Sequence, residues 1–399
     1  MKKLMAFLLA LILVAGSAAG IHGFCQGRVR RDSHTFATWS SEKKFLSWQG
    51  LAANLDEQVV PVFGSSEIQH GRNTRFHPAQ VFADTSFQPM LIGAGYYQSL
   101  NHAITLASLG DRVKSKKAVL LLSPQWFRGH GVKAEAFASR FSEIQFLHML
   151  ENPGISRETK AYLTERTNTL LEKDPKTLAR VEQYTREASG GRMSVWEKAC
   201  MKIYKSFLQE KDLCQTVMAE ELAGIPPVKG PASSGTSEAS CQPDWSVLWQ
   251  EAQEQGEAQE QNPYYMEPGA WKKKESLIRR GKVKRDMVTD GYKSREETGD
   301  LKAFLAVCRE MEIEPLVVIL PVNGYWYDYT GYGKEARAKY YERIRALLDE
   351  EQVSYADLSG EEYTRYFFED GIHPSGKGWT KINEILYRFY QEDGTQAEG

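Results

Sequence analysis

The chain has 399 residues, 42% of them hydrophobic and 11% aromatic, enough for one large domain with insertions or two modest ones. Its 50 basic and 52 acidic residues nearly cancel, and a net charge of −2 argues against nucleic acid as a partner. The five cysteines (Cys25, Cys200, Cys214, Cys241, Cys308) form no C-x-x-C pair and no metal-ligand spacing, so no metal and no cofactor is expected.

The N-terminus opens with Met1-Lys2-Lys3, followed by 18 uncharged residues from Leu4 to Ile21. That length just spans a bilayer, and the lysines hold the N-terminus inside with the remainder outside. The small residues Ser17-Ala18-Ala19 also suit a cleavage site, but the apolar run continues to Phe24, which favours an uncleaved anchor over residues 1–25. Phe24 before Cys25 does not read as a lipoprotein cysteine. In either case residues 26–399 are exported, and there Cys200 and Cys214 are candidates for a bridge.

Val59-Val60-Pro61-Val62-Phe63 is a short β-branched run that ends in Gly64-Ser65-Ser66-Glu67. It reads as a buried parallel strand entering a tight turn and a helix start. A serine there lies at the carboxyl end of a strand, where open α/β sheets place their sites; on the local pattern alone an N-cap explains it better. Glu67 favours the positive end of the helix dipole. His70 and His77 follow closely enough to line a pocket, although histidines so placed more often serve the core or the surface.

Gly93 and Gly95 form a Gly-x-Gly turn after Leu91-Ile92, able to present backbone N–H groups but lacking the rest of a phosphate-binding loop. Lys117–Leu122 is a second buried strand, ending in Ser123-Pro124-Gln125-Trp126-Phe127, where Gln125 can donate to an oxyanion and Trp126 can wall a pocket. Residues 134–222 show helical spacing, broken at Pro153-Gly154 and Gly190-Gly191, and read as a helical insertion. Residues 224–262 are rich in Pro, Gly and Ser and then in Glu and Gln, and read as a flexible surface insertion with an aromatic patch at Trp245–Trp249. Eight basic residues crowd Lys272–Arg285, either a solvated segment or a contact for phosphate-rich polymers or lipid headgroups.

A helix over Asp300–Met311 leads into a strand at Pro315–Leu320, whose end carries Asn323 and a cluster of aromatics able to shape an acceptor groove. A helix over Glu335–Glu351, a strand at Val353–Leu358 and a closing helix at Trp379–Tyr390 follow. Between the last two lies Asp370-Gly371-Ile372-His373-Pro374, in which His373 can act as base to a serine and Asp370 can orient it. The repeated strand-then-helix units predict a three-layer, doubly wound, mostly parallel α/β sheet.

A strand–Gly-x-Ser near one end and D-x-x-H-P near the other resemble the SGNH (GDSL-like) hydrolase superfamily, although Gln125 stands where that superfamily carries asparagine. Phe63–Glu67, Ser123–Phe127, Pro321–Gly331 and Asp370–Pro374, in that order, resemble the DltD family of D-alanyl transfer proteins of Gram-positive teichoic acid modification. The resemblance implies Ser66 as nucleophile, with Asp370 and His373 completing a triad. It also implies an anchored extracellular domain working beside a membrane acyltransferase of the MBOAT class, with a D-alanyl carrier protein as a further partner and teichoic acid as acceptor. The alternatives are a secreted carbohydrate O-esterase or thioesterase, and a non-catalytic module that binds a carrier protein or polymer.

Overall fold

The computed structural model describes residues 2–29, 34–225, 242–259, 261–283 and 291–392. Five strands make one all-parallel sheet: β1 (Val59–Phe63), β2 (Gln88–Ile92), β3 (Lys117–Leu122), β4 (Glu314–Ile319) and β5 (Ser354–Asp357), in the order β2-β1-β3-β4-β5. The chain moves from β1 to one edge, crosses back over β1 to β3, then steps to the other edge. The switch point therefore falls between β1 and β3, and a crevice opens at their carboxyl ends.

Side chains alternate across the sheet, as the two-residue period of a strand requires. Phe63, Leu120, Leu122, Val317 and Ile319 enter the larger core, under the helices Ser99–Leu109, Arg295–Glu310 and Lys334–Glu350. Val62, Val119, Leu121 and Val318 enter the second core, under the closing helix Gly376–Gln391. Both faces are covered, so the central strands read as continuous apolar runs. The fold is the predicted three-layer α/β arrangement.

Helices fill residues 134–222, ending in the long helix Val195–Leu222. The polar tract after Trp249 departs from the flexible insertion expected there: it is the second half of a helix, Trp245–Gln259. Leu248, Ala252 and Gly256, spaced four apart, bury one face of that helix. Residues 226–241, with Cys241, lie outside the described residues. Cys200 and Cys214 both sit on Val195–Leu222, 14 residues and therefore about 21 Å apart along one rigid helix, so they do not bridge each other. Cys214 instead faces Cys25, with the sulfurs 3.7 Å apart.

The helix Lys2–Gln26 is apolar and long enough to cross a membrane, and it fits a single-pass anchor. Its carboxyl end stands on Val195–Leu222, where Cys25 packs with Leu213 and Val217.

Candidate active site

β1 delivers the turn Gly64-Ser65-Ser66 to the switch point, and Ser66 begins a single turn of 3₁₀ helix, Ser66–Gln69. The two serines diverge. Ser65 is buried and its Oγ donates to the Ala94 carbonyl at 3.2 Å, tying the loop after β1 to the loop after β2. It sits at the N-cap position but makes no side-chain capping bond. Ser66 is half-buried, and its Oγ lies 2.8 Å from His373 Nε2. Glu67 is buried, and its Oε1 accepts the Ser65 N–H at 2.5 Å, fixing the turn from beneath; burial pushes this carboxyl above its ordinary range.

His373 and Asp370 come from the turn before the closing helix. His373 Nδ1 is 3.0 Å from Asp370 Oδ2, while Asp370 Oδ1 accepts the N–H groups of Ile372 at 2.9 Å and His373 at 3.0 Å. Burial opposes charge on Asp370, but the His373 imidazole and these two amides outweigh it and hold the carboxyl well below the usual range. With Nδ1–H donated to Asp370, the bare Nε2 is the atom that faces the Ser66 hydroxyl.

A second imidazole lies flat on the first. The rings of His70 and His373 are 3.6 Å apart and within 7° of parallel, and His70 Nδ1 is 2.9 Å from Glu369 Oε2. Burial works against a charge on His70, yet the Glu369 carboxylate prevails and raises it above its ordinary value. His77 instead caps the short helix Pro78–Val81 and bonds to the Ile68 carbonyl; burial pushes it down to about 4, so it is neutral and structural.

The loop after β2 closes on Ser66. A β-carbon on Gly93, whose φ is +153°, would lie 1.9 Å from the Gly64 carbonyl oxygen, so only glycine permits this approach. Gly95 stands beside Ser66, and its β-carbon position is 3.9 Å from the Ser66 Cβ. Tyr96 follows at φ +75° with its ring exposed. Gln125 donates from Nε2 to the Tyr327 hydroxyl at 2.7 Å. Trp126 is buried, with its ring 5.8 Å from that of His102. Asn323 is buried as well: its Oδ1 accepts the Trp326 N–H at 3.0 Å, and its Nδ2 donates to the carbonyls of Tyr264 at 2.8 Å and Asp370 at 3.4 Å. Its amide is thus engaged in holding the Asp370 turn.

The basic helix Pro268–Arg279 borders the same turn. Glu267 N–H donates to the Glu369 carbonyl at 2.9 Å, and Lys274 Nζ lies 4.7 Å over the Trp326 ring. Lys284 and Arg285, the end of the basic stretch, lie outside the described residues.

Nearness to Ser66 opened His70 to a pocket-lining role, but Glu369 was not separable from ordinary polar residues in the sequence. The acid pair Glu369-Asp370 was the only local signal, and the stacking depends on tertiary approach across 303 residues.

Fold and geometry together define a doubly wound α/β protein with a serine, a histidine and an aspartate in hydrogen-bonded series at the carboxyl edge of its sheet. The family model described as DltD protein matches residues 35–391. The protein DltD of Bacillus subtilis (strain 168) is 31% identical over 396 residues, covering 96% of both chains. That of Staphylococcus aureus (strain NCTC 8325 / PS 47) is 27% identical over 332 residues, with 82% of this chain and 80% of the relative covered. That of Lacticaseibacillus rhamnosus is 26% identical over 411 residues, covering 96% and 89%. The chain belongs to the DltD family, which gives it a role in D-alanyl-lipoteichoic acid biosynthesis.

Proposed function

We propose that the chain transfers D-alanine to hydroxyls of a teichoic acid outside the membrane, through an ester on Ser66. The observation that carries this reading is the continuous series Ser66 Oγ–His373 Nε2–Asp370 at 2.8 and 3.0 Å. His373 takes the Ser66 proton as Oγ attacks the carbonyl carbon of an activated D-alanyl ester or thioester. The bond to the donor's leaving group breaks, and that group takes the proton from the imidazolium, leaving D-alanyl-Ser66. A polymer hydroxyl then gives its proton to His373 and attacks the same carbon; Ser66 recovers the proton and the D-alanyl ester passes to the polymer. Asp370 stays a carboxylate throughout and stabilises the imidazolium.

The developing oxyanion is served by the N–H of Ser66, which as the first residue of its helical turn has no partner within that turn, and by the N–H of Gly95 opposite. Gln125 has one amide proton engaged by Tyr327, which leaves its second for the same task. Asn323 acts as a positioning residue for Asp370. The exposed Lys272, Lys273 and Arg279 belong to the helix that borders this turn and suit a polyanionic acceptor, whose phosphates they would hold by screened attraction. The anchor keeps the site at the membrane, within reach of an MBOAT-type acyltransferase as donor.

The test is intact-protein mass spectrometry of the full chain after exposure to a D-alanyl thioester. An adduct of one alanyl group that maps to Ser66, and is absent from Ser66→Ala, is the expected result. No adduct at Ser66, with the thioester consumed no faster than without the chain, would leave the binding-module reading in its place.

A further inference from the structure

The helix Val195–Leu222 has two opposed faces. One is held by the body of the protein: Met201 and Leu208 are buried, Asp212 accepts the N–H groups of Trp48 and Gln49, and Thr216 bonds to Ser47. The other carries Trp196, Cys200, Ile203 and Phe207, spaced four, three and four apart, which is one stripe of a helix. These side chains point into open space: Trp196 is 76% exposed, Ile203 71% and Phe207 56%. Nothing charged interrupts the stripe; the exposed Lys198 and Lys202, each two residues from Cys200, are turned about 200° from it around the helix.

The anchor helix fixes where this stripe lies. His22 meets Glu210, Cys25 meets Cys214, and Arg28 pairs with Glu221. The partners climb together, so the two helices run in the same direction. From Glu210 the long helix therefore runs back alongside the apolar stretch of the anchor, 14 residues to Trp196, or about 21 Å at ~1.5 Å per residue. Even at a crossing angle of about 50° this is roughly 13 Å along the anchor axis. Ile21, the last residue of the uncharged run, is level with the start of that descent. At that angle the stripe spans from Phe207, about 3 Å below Glu210, to Trp196 at about 13 Å, within the ~15 Å of hydrocarbon of one leaflet.

We infer that the amino-terminal half of Val195–Leu222 lies in the outer leaflet of the membrane that the anchor crosses, with Trp196, Cys200, Ile203 and Phe207 in contact with lipid. The occupant is a lipid surface because the uncharged stripe runs beside the anchor's own apolar surface, on the stretch of the helix that descends along it. The seat would hold the catalytic domain in one orientation, where a single anchor alone would let it swivel.

The test uses the full chain in nanodiscs of equal parts phosphatidylglycerol and phosphatidylcholine. A nitroxide is placed in turn at Cys200, Ile203→Cys, Phe207→Cys and Lys202→Cys, in a chain whose other accessible cysteines are replaced by serine. Collision with oxygen is compared with collision with a water-soluble nickel chelate, and a label at Val14→Cys confirms that the anchor is in the bilayer. Oxygen should exceed nickel severalfold at 200, 203 and 207, and nickel should exceed oxygen at 202. Nickel access at all four positions, with Val14 in lipid, would overturn the inference. So would low access to both probes along the stripe, which would mean that protein covers it.

Discussion

Replacing Gly93 by alanine tests how Ser66 is held. The new methyl would sit 1.9 Å from the Gly64 carbonyl oxygen, against the ~3.3 Å at which a carbon and an oxygen come to rest. The loops after β1 and β2 must then part by about 1.4 Å, which strains the Gly64 N–H bond to the Ile92 carbonyl, now 3.0 Å. A positive φ forced on an alanine adds about 1–3 kcal/mol and the overpacking a further 1–3, so about 2–6 kcal/mol in all. Because Gly64 precedes the two serines, Ser66 moves with it, and a displacement of about 1 Å is enough to cost roughly 100-fold in rate. The assay is urea unfolding of the purified chain in detergent together with the D-alanine ester content of complemented cells. Gly95→Ala is the control: its methyl meets only the Ser66 Cβ, at 3.9 Å, and should leave the unfolding midpoint within the error of the measurement. A Gly93→Ala protein with a wild-type midpoint and wild-type ester content would refute the reasoning.

Two further outcomes follow from the same geometry. The proton affinity of His70 is raised on folding, so its pair with Glu369 contributes stability in full below about pH 6.5 and loses it as pH rises through the higher folded value. The stability gap between wild type and Glu369→Gln should therefore shrink from pH 6 to pH 9; a gap independent of pH would contradict the pairing. Asn323→Ala removes a cap on Trp326 and leaves the half-buried Tyr264 carbonyl without this donor, a loss of about 1–3 kcal/mol. Its effect on transfer should appear as reduced kcat, and unchanged kcat with unchanged stability would show that Asn323 does not position Asp370.

What the sequence disclosed was what period and punctuation encode. β1 and β3 are unbroken apolar runs that end in Gly64 and Ser123, so their boundaries and their site-facing ends could be read directly. β2 was harder, because Pro89 and the polar Gln88 leave only the three residues Met90-Leu91-Ile92 as apolar signal. The helix Trp245–Gln259 escaped because beyond Leu248 its buried face is made of Ala252 and Gly256, small residues that carry no hydrophobic pattern; Gly256 is there because a β-carbon would lie 2.5 Å from the Tyr366 ring. Separation in sequence also hid the mutual exclusion of Cys200 and Cys214, which only the continuity of one helix establishes. The stack of His70 on His373 and the descent of the Trp196 stripe along the anchor are relations between distant segments, and no local pattern could express them.

The central claim is that Ser66, His373 and Asp370 act as a catalytic unit. Its most direct measurement is the D-alanine ester content of teichoic acid in a deletion strain complemented with wild type, Ser66→Ala or His373→Ala, each shown to be present at equal amounts in the membrane. Restoration by wild type alone is the predicted result. Full restoration by Ser66→Ala would contradict the account and make the chain a scaffold for another enzyme's chemistry.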